Sequence, residues 1–421
     1  MIETRFGDPA PAGRRASARQ AATCPLVAGL LGLLLLAQSC SPGDTTPDGV
    51  VRRDSAGVEI LEYSSAAIDA SPLYTVSDSF DLAIGAADGE APYVFGRIGA
   101  AAELSDGTIM IVDAQAMEAR FFSSDGTFVR AVGGRGEGPG EMQYVDGWWL
   151  AGGDTVLAWD TGLGRLVTIA DRGETFDVLK IETRGGSPDY FMGKYPDGAL
   201  LFWHQYFEPA TDGGRTQYSA SIRTRPAAAG EPWPVDTIFR HGAQLPREGA
   251  GRPLFRSRTT GGIHPDGAWI ATGTEPQIQL YDTAGALRRI VRWEESDRTV
   301  TPAHVEAYIA AALENVPPDQ HARRRQSIEA QPVPARLPSV ALAISQMSGR
   351  AWVFRFEPPG EDVMGEILVF SPDGELEVRI DGWEGVEPLP RTLDTVLLRG
   401  TDDVGAPRVT RHRFVRERDG G

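Results

Sequence analysis

Short apolar runs, each opened or closed by a turn dipeptide, recur along most of this chain. The pattern is a turn with Asp-Gly, Gly-Asp or a close variant, then a strand of β-branched and aromatic residues. It occurs as SDGTIMIVDA (Ser105–Ala114), GGDTVLAWDT (Gly152–Thr161) and PDGALLFWHQ (Pro196–Gln205). It returns as PDGAWIATGT (Pro265–Thr274), SGRAWVFRFE (Ser348–Glu357) and TLDTVLLRGT (Thr392–Thr401), six occurrences in all. Asp-Gly between alternating apolar residues is a strong local hairpin signal. In TIMIVDA, Ile109 and Ile111 share one face while Met110 and Val112 share the other. Apolar residues on both faces predict strands covered on both sides by neighbouring sheets.

Starts roughly 45 residues apart suit one four-stranded blade each. The intervals Gly198–Gly267 and Gly267–Gly349 are longer and predict insertions. No capping repeats appear, so radial closure is the expected answer to the open-edge problem. The predicted fold is all-β: a six-bladed β-propeller over residues 71–418, with a small helical insertion. LYTVSDSFDLAIG (Leu73–Gly85) reads as a strand without a blade of its own. Pairing with RVTRHRFVRE (Arg408–Glu417) would close the ring.

The insertion lies at about 301–330 and breaks the strand rhythm. Thr301 suits an N-cap and Pro302 the first helical turn. Val305, Tyr308, Ile309 and Leu313 fall on one helical face, and Pro317-Pro318 ends the helix. A second helix is expected after it, with Asp319 as cap. Such a hairpin would sit over one propeller face, as packing or as a gate.

Residues Phe95–Met142 resemble an NHL repeat, and the chain is similar to six-bladed propeller lipoproteins of bacteria. WDTGLGRLVTIADRGE keeps the Asp-x-Gly-x-x-Arg pattern with Asp160, Gly162 and Arg165. The resemblance implies that Asp160 and Arg165 staple a tight turn. In the preceding unit Glu118 stands where that Arg belongs. The glycine-rich VGGRGEGPGEM that precedes it invites a phosphate-loop reading. Such a loop must follow a strand and open a helix. Here strand and turn follow, with Pro139, Glu137 and Glu141 opposing an anion, so the loop is expected to join two blades.

Composition sets the compartment and narrows the partners. Four Arg precede the apolar run Cys24–Ala37, which is too short to span a bilayer comfortably. Residues 1–39 therefore read as a signal peptide. LAQSC resembles a lipobox, which implies lipidation at Cys40; plain secretion is the other reading. Residues 40–70 are expected to be the lipidated Cys and a flexible linker, and the protein is placed in the cell envelope, at the outer membrane. The only two cysteines are Cys24 and Cys40, so no disulfide or Cys-based zinc site is available to the folded part. The formal charge is −17, which opposes nucleic acid as a partner. Membrane contact is expected only through the anchor, and the protein is expected to be a monomer.

Candidate chemistry is sparse. No G-x-S-x-G, H-E-x-x-H or catalytic Cys is present. His204 and His264, on strands of different blades, are the candidate metal ligands. Sugar-lactone hydrolases share the propeller fold and hold calcium partly through Asn, but Asn315 is the only asparagine here. The adjacent Trp148 and Trp149 form a possible recognition surface, because neighbours on a strand point to opposite faces. These residues predict a non-enzymatic binding or scaffold protein with no cofactor and an unidentified ligand. The alternative is a metal-assisted hydrolase or lyase with ligands from several blades.

Overall fold

The computed structural model describes residues 44–45, 49–151, 154–181, 190–209, 215–227, 233–245, 253–345, 348–359, 365–381 and 393–417. The leader and Cys40 lie outside them. The chain enters through β1 (Asp44–Thr45), β2 (Val50–Ser55), β3 (Val58–Tyr63), α1 (Ser65–Asp69) and β4 (Leu73–Ile84). Five antiparallel meanders of four strands follow. They are β5–β8 (Ile98–Glu103, Ile109–Asp113, Glu118–Phe122, Phe128–Gly133) and β9–β12 (Val145–Ala151, Thr155–Asp160, Arg165–Ala170, Thr175–Lys180). Next come β13–β16 (Tyr190–Lys194, Leu200–Pro209, Arg215–Thr224, Val235–Leu245) and β17–β20 (Thr260–His264, Gly267–Ala271, Gln277–Asp282, Leu287–Trp293). Helices α2 (Pro302–Leu313) and α3 (His321–Glu329) precede β21–β24 (Val340–Ser345, Ala351–Arg355, Ile367–Phe370, Leu376–Asp381). A terminal group ends the chain: β25 (Thr395–Thr401) and β26 (Pro407–Arg416).

The expected N-terminal strand pairs where the sequence placed it. β4 lies antiparallel to β26, with Ile84 opposite Val409 and Tyr74 opposite Arg416. The first strands of successive meanders touch, β5 to β9, β9 to β13, β13 to β17 and β17 to β21, and β25 returns to β5. Each interface between neighbours is an apolar core. Met110 and Val112 pack with Trp148, Val156 and Val167 of the next meander. Ile109 and Ile111 face the other way, toward Ile84 and Val409. An all-β chain of four-stranded sheets packed face to face in this manner is consistent with a β-propeller.

The segment expected to be a flexible linker differs from that reading. Val50–Tyr63 forms a hairpin, because Ala56 and Gly57 both hold positive φ in a two-residue turn closed by Ser55 and Val58. β3 then lies parallel to the outer strand β20, with Leu61 opposite Val291 and Tyr63 opposite Trp293. Leu61 is fully buried between the fourth and fifth meanders. Further on, the start of β4 lies parallel to β24, the outer strand of the next meander. The N-terminal segment thus runs as a belt around the outer rim, from β20 to β24 to β26.

The two long intervals are filled differently. The first is taken up by the long strands β14, β15 and β16, and the second by the helical hairpin. Thr301 caps α2 in a reciprocal box with His304. Asp319 does not cap α3: a 3-10 turn, Pro318–Gln320, runs directly into the helix and Gln320 occupies the cap position without a side-chain bond. Ile309 and Ile328 bury against Leu254, Phe255 and Leu337.

Candidate functional site

The best-defined polar construction lies where the second strand of a meander turns into the third. Asp160 ends β10 and is fully buried. Its carboxylate accepts from the backbone N–H groups of Gln143, Tyr144 and Leu163. Arg165 begins β11, directly opposite Asp160, and its Nε lies 3.5 Å from Asp160 Oδ2. The other end of that guanidinium donates to the carbonyls of Glu137, Gly138 and Glu141. The pair therefore does more than staple a turn. It fixes the glycine-rich connection between β8 and β9.

That connection has no free cradle for an anion. Gly138 N–H donates to the Glu141 carboxylate, and Gly134 and Met142 bond to one another across the loop. A Cβ at Gly136 would meet Glu141 Oε2 at 2.0 Å, so a side chain there would displace the carboxylate that Gly138 N–H binds. The loop is a clamped joint between two meanders.

The first meander repeats the device with a shift that the sequence hides. Asp113 accepts from the N–H groups of Gly96, Arg97, Gln115 and Ala116. Burial alone would push its pKa up, but these donors outweigh burial and hold it below the usual carboxylate range. The cation is Arg120, two residues beyond Glu118 on the same face of the strand. It bonds Asp113 at 3.1 Å and donates to the carbonyls of Ala91, Pro92 and Val94. A period of two lets the charge move from one position to the next on one face without changing its target. A search for Arg five residues after Asp misses it.

Trp148 and Trp149 lie between sheets, the first buried and the second partly buried, and not together on an open surface. Trp148 packs between the first and second meanders, and Trp149 packs toward the third, 4.8 Å from Phe191 in an edge contact. They point to opposite faces, as expected, but both faces are covered by sheets. The exposed aromatic in this segment is Tyr144, 61% accessible. Its N–H is bound by Asp160 and its carbonyl accepts from Thr161. An aromatic ring is thus shown to solvent from a fixed backbone. Tyr190, beginning β13, is 52% accessible. Asp146 on β9 is also accessible, yet desolvation by surrounding protein holds its pKa above the usual carboxylate range.

The two candidate metal ligands are far apart in role. His204 sits mid-strand on β14, opposite Ala220. His264 ends β17 and is buried, with both ring nitrogens engaged. Nδ1 lies 3.0 Å from the Asp266 N–H and Nε2 lies 3.1 Å from the Pro372 carbonyl. A backbone N–H at Nδ1 requires the neutral tautomer with the proton on Nε2. Burial lowers the pKa of this imidazole. Among the described residues no group of three or more His, Cys, Asp or Glu is placed to hold a metal.

The buried neutral His264 has a pH consequence. An unfolded His titrates near 6.5, and the native one titrates lower. Stability is therefore full above that value and falls as pH drops below it, because the unfolded chain binds the extra proton. Melting temperature is expected to decline between pH 7 and 5, and His264→Gln should flatten that decline. An unchanged slope in the variant would refute the assignment.

No protein-family model matches the chain, and no curated protein matches it in sequence. Solved structures do. A protein of Bacteroides fragilis described as exported is 10% identical, covering 82% of this chain and 99% of its own, with a TM-score of 0.43. A gluconolactonase of Xanthomonas campestris is 11% identical over 81% of this chain and 100% of its own, with a TM-score of 0.39. Virginiamycin B lyase of Staphylococcus aureus is 9% identical over 79% and 99%, with a TM-score of 0.34. These are remote likenesses to β-propeller-like proteins; the fold described above rests on this chain's own strand pairing.

Proposed function

We propose that the chain is an exported six-bladed β-propeller, lipid-anchored at Cys40 to the outer membrane, that works as a monomeric binding or scaffold module of the cell envelope. Six apolar cores between neighbouring groups of strands support the blade count, and the belt of β4 on β26 supports closure by the N-terminus. The partner docks on the face that carries the connections between blades. The observation that carries this is Tyr144: an accessible aromatic on a backbone immobilised by Asp160 pays little ordering entropy on binding. The exposed Tyr190 and the accessible carboxyl of Asp146 belong to neighbouring first strands.

The second reading of the sequence, a metal-assisted hydrolase or lyase, loses His264 to its two hydrogen bonds. A photo-crosslinking residue at position 144, in the full chain within intact envelopes, tests the binding reading. A discrete adduct is expected from 144 and not from Asp373. That residue sits on a β23–β24 hairpin turn, at the opposite end of the strands from the connections between blades. Matching adducts from both positions, or none from 144, would remove this face from consideration.

A further inference from the structure

The ladder between β9 and β10 skips a residue. Gly147 lies opposite Trp159 and Val145 opposite Asp160, so Asp146 has no partner across the pair. Such a bulge re-aims the side chain it carries. The same step recurs near the start of β5, β13 and β21, where it falls on Gly99, Met192 and Ala341. Of these four bulged residues only Asp146 is charged. β9 is also the open edge of its sheet, with no strand paired beyond it.

The Asp146 carboxyl is accessible, and among the described residues it makes no hydrogen bond or ion pair. Surrounding protein desolvates it, and no donor or cation offsets that cost. The cations of this region are engaged elsewhere. Arg165 bonds Asp160, and Arg135 donates to the carbonyls of Gln115 and Gln143. Arg399, on the strand that meets β5, donates to the Gly99 carbonyl. Exposed Glu137 and Glu141 lie on the connection leading into β9, against Arg135 alone, so the fixed charge here is acidic. Tyr144 precedes Asp146 by two residues, which keeps their Cα atoms within about 7 Å. Its ring is open to solvent and its backbone is held by Asp160.

We propose that Asp146 and Tyr144 together receive a cationic side chain, a lysine ammonium or an arginine guanidinium, presented by the protein partner. This rests on the docking reading above and names the chemistry of its contact. A carboxylate accepts charge-assisted hydrogen bonds from such a group, and the face of a phenol ring attracts it. A neutral partner could stack on the ring but would leave the desolvated carboxylate without a counter-charge. The net charge of −17 also draws basic segments toward the protein and repels acidic ones.

The test measures fluorescence anisotropy of labelled tetralysine and tetraglutamine peptides with the full chain at physiological ionic strength. Tetralysine is expected to bind the more tightly, and D146N to weaken it roughly ten-fold while leaving tetraglutamine unchanged. D146E should keep binding. Y144L should weaken it and Y144F should not, because the ring face is retained. D373N, at an exposed aspartate on the opposite end of the strands, controls for overall acidity and should change little. Equal binding of the two peptides, or equal losses in D146N and D373N, overturns the proposal. Crosslinking from position 144 in envelopes separates this contact from the docking reading. An adduct that D146N does not diminish keeps the docking face and removes the cationic contact. No adduct, with tetralysine binding still dependent on Asp146, keeps the contact and removes the docking face.

Discussion

Asp160→Ala is expected to lower stability by about 3–5 kcal/mol, the cost of leaving a partly buried guanidinium and several backbone donors without their partner. The carboxylate serves three N–H groups and Arg165 at once, and it is wholly inside the protein. Its loss frees Arg165, whose other nitrogens hold the carbonyls of the glycine-rich connection. The damage should therefore reach beyond the turn to the joint between the first two meanders. Urea unfolding monitored by far-ultraviolet circular dichroism would show a lower midpoint. Asp160→Asn keeps part of the acceptor capacity and should cost less. A loss below about 1 kcal/mol for the alanine variant would mean that the backbone donors find other partners, and the clamp would lose its standing as a structural unit.

The second large effect concerns the belt. Removing residues 42–71 is expected to prevent folding to a soluble monomer. Ile60, Leu61, Tyr63 and Ile68 are all buried. At roughly 1.5–3 kcal/mol for each large side chain, their burial amounts to about 8 kcal/mol. Whole domains are stable by only about 5–15 kcal/mol. Truncation would also bare the outer edge of β20, and an unpaired edge beside an exposed apolar surface invites aggregation. The gentler variant Leu61→Ala should cost about 2–5 kcal/mol and still fold, because it leaves the strand pairing in place. Sedimentation of the truncated chain and a thermal melt of Leu61→Ala check the two halves. A truncated protein that stays soluble and melts within about 2 °C of the full chain would show the belt to be decoration.

Both results bear on function through rigidity. The clamp around Asp160 presents Tyr144, and the belt links the fourth and fifth meanders to the strands that meet the first. A partner that reads a fixed surface depends on both. The helical hairpin adds a separate element, bound to the core through Ile309 and Ile328 and leaving its arginines outward.

Much of the fold was legible because its signals are local. Turn dipeptides marked the hairpins, and alternation separated Ile109 and Ile111 from Met110 and Val112, the division that the two cores show. The pairing of β4 with β26 was readable as well, since a strand without neighbours at one end met another at the far end. The capped start of α2 followed from Thr301 and Pro302 alone. What stayed hidden depends on partners distant in sequence. The hairpin Val50–Tyr63 resembles a polar linker until β20 supplies the edge that covers it. Arg120 replaces the expected arginine from two residues along the strand, a substitution visible only once its target, Asp113, stands beside it. Trp148 and Trp149 were expected to divide between inside and outside; a second sheet on the far face covers Trp149 in part, while Trp148 is buried. Local chemistry determined where the chain turns and which side of each strand is apolar. Only the packing of sheet on sheet decided which of those sides met water, because exposure belongs to the assembled neighbours and not to any residue alone.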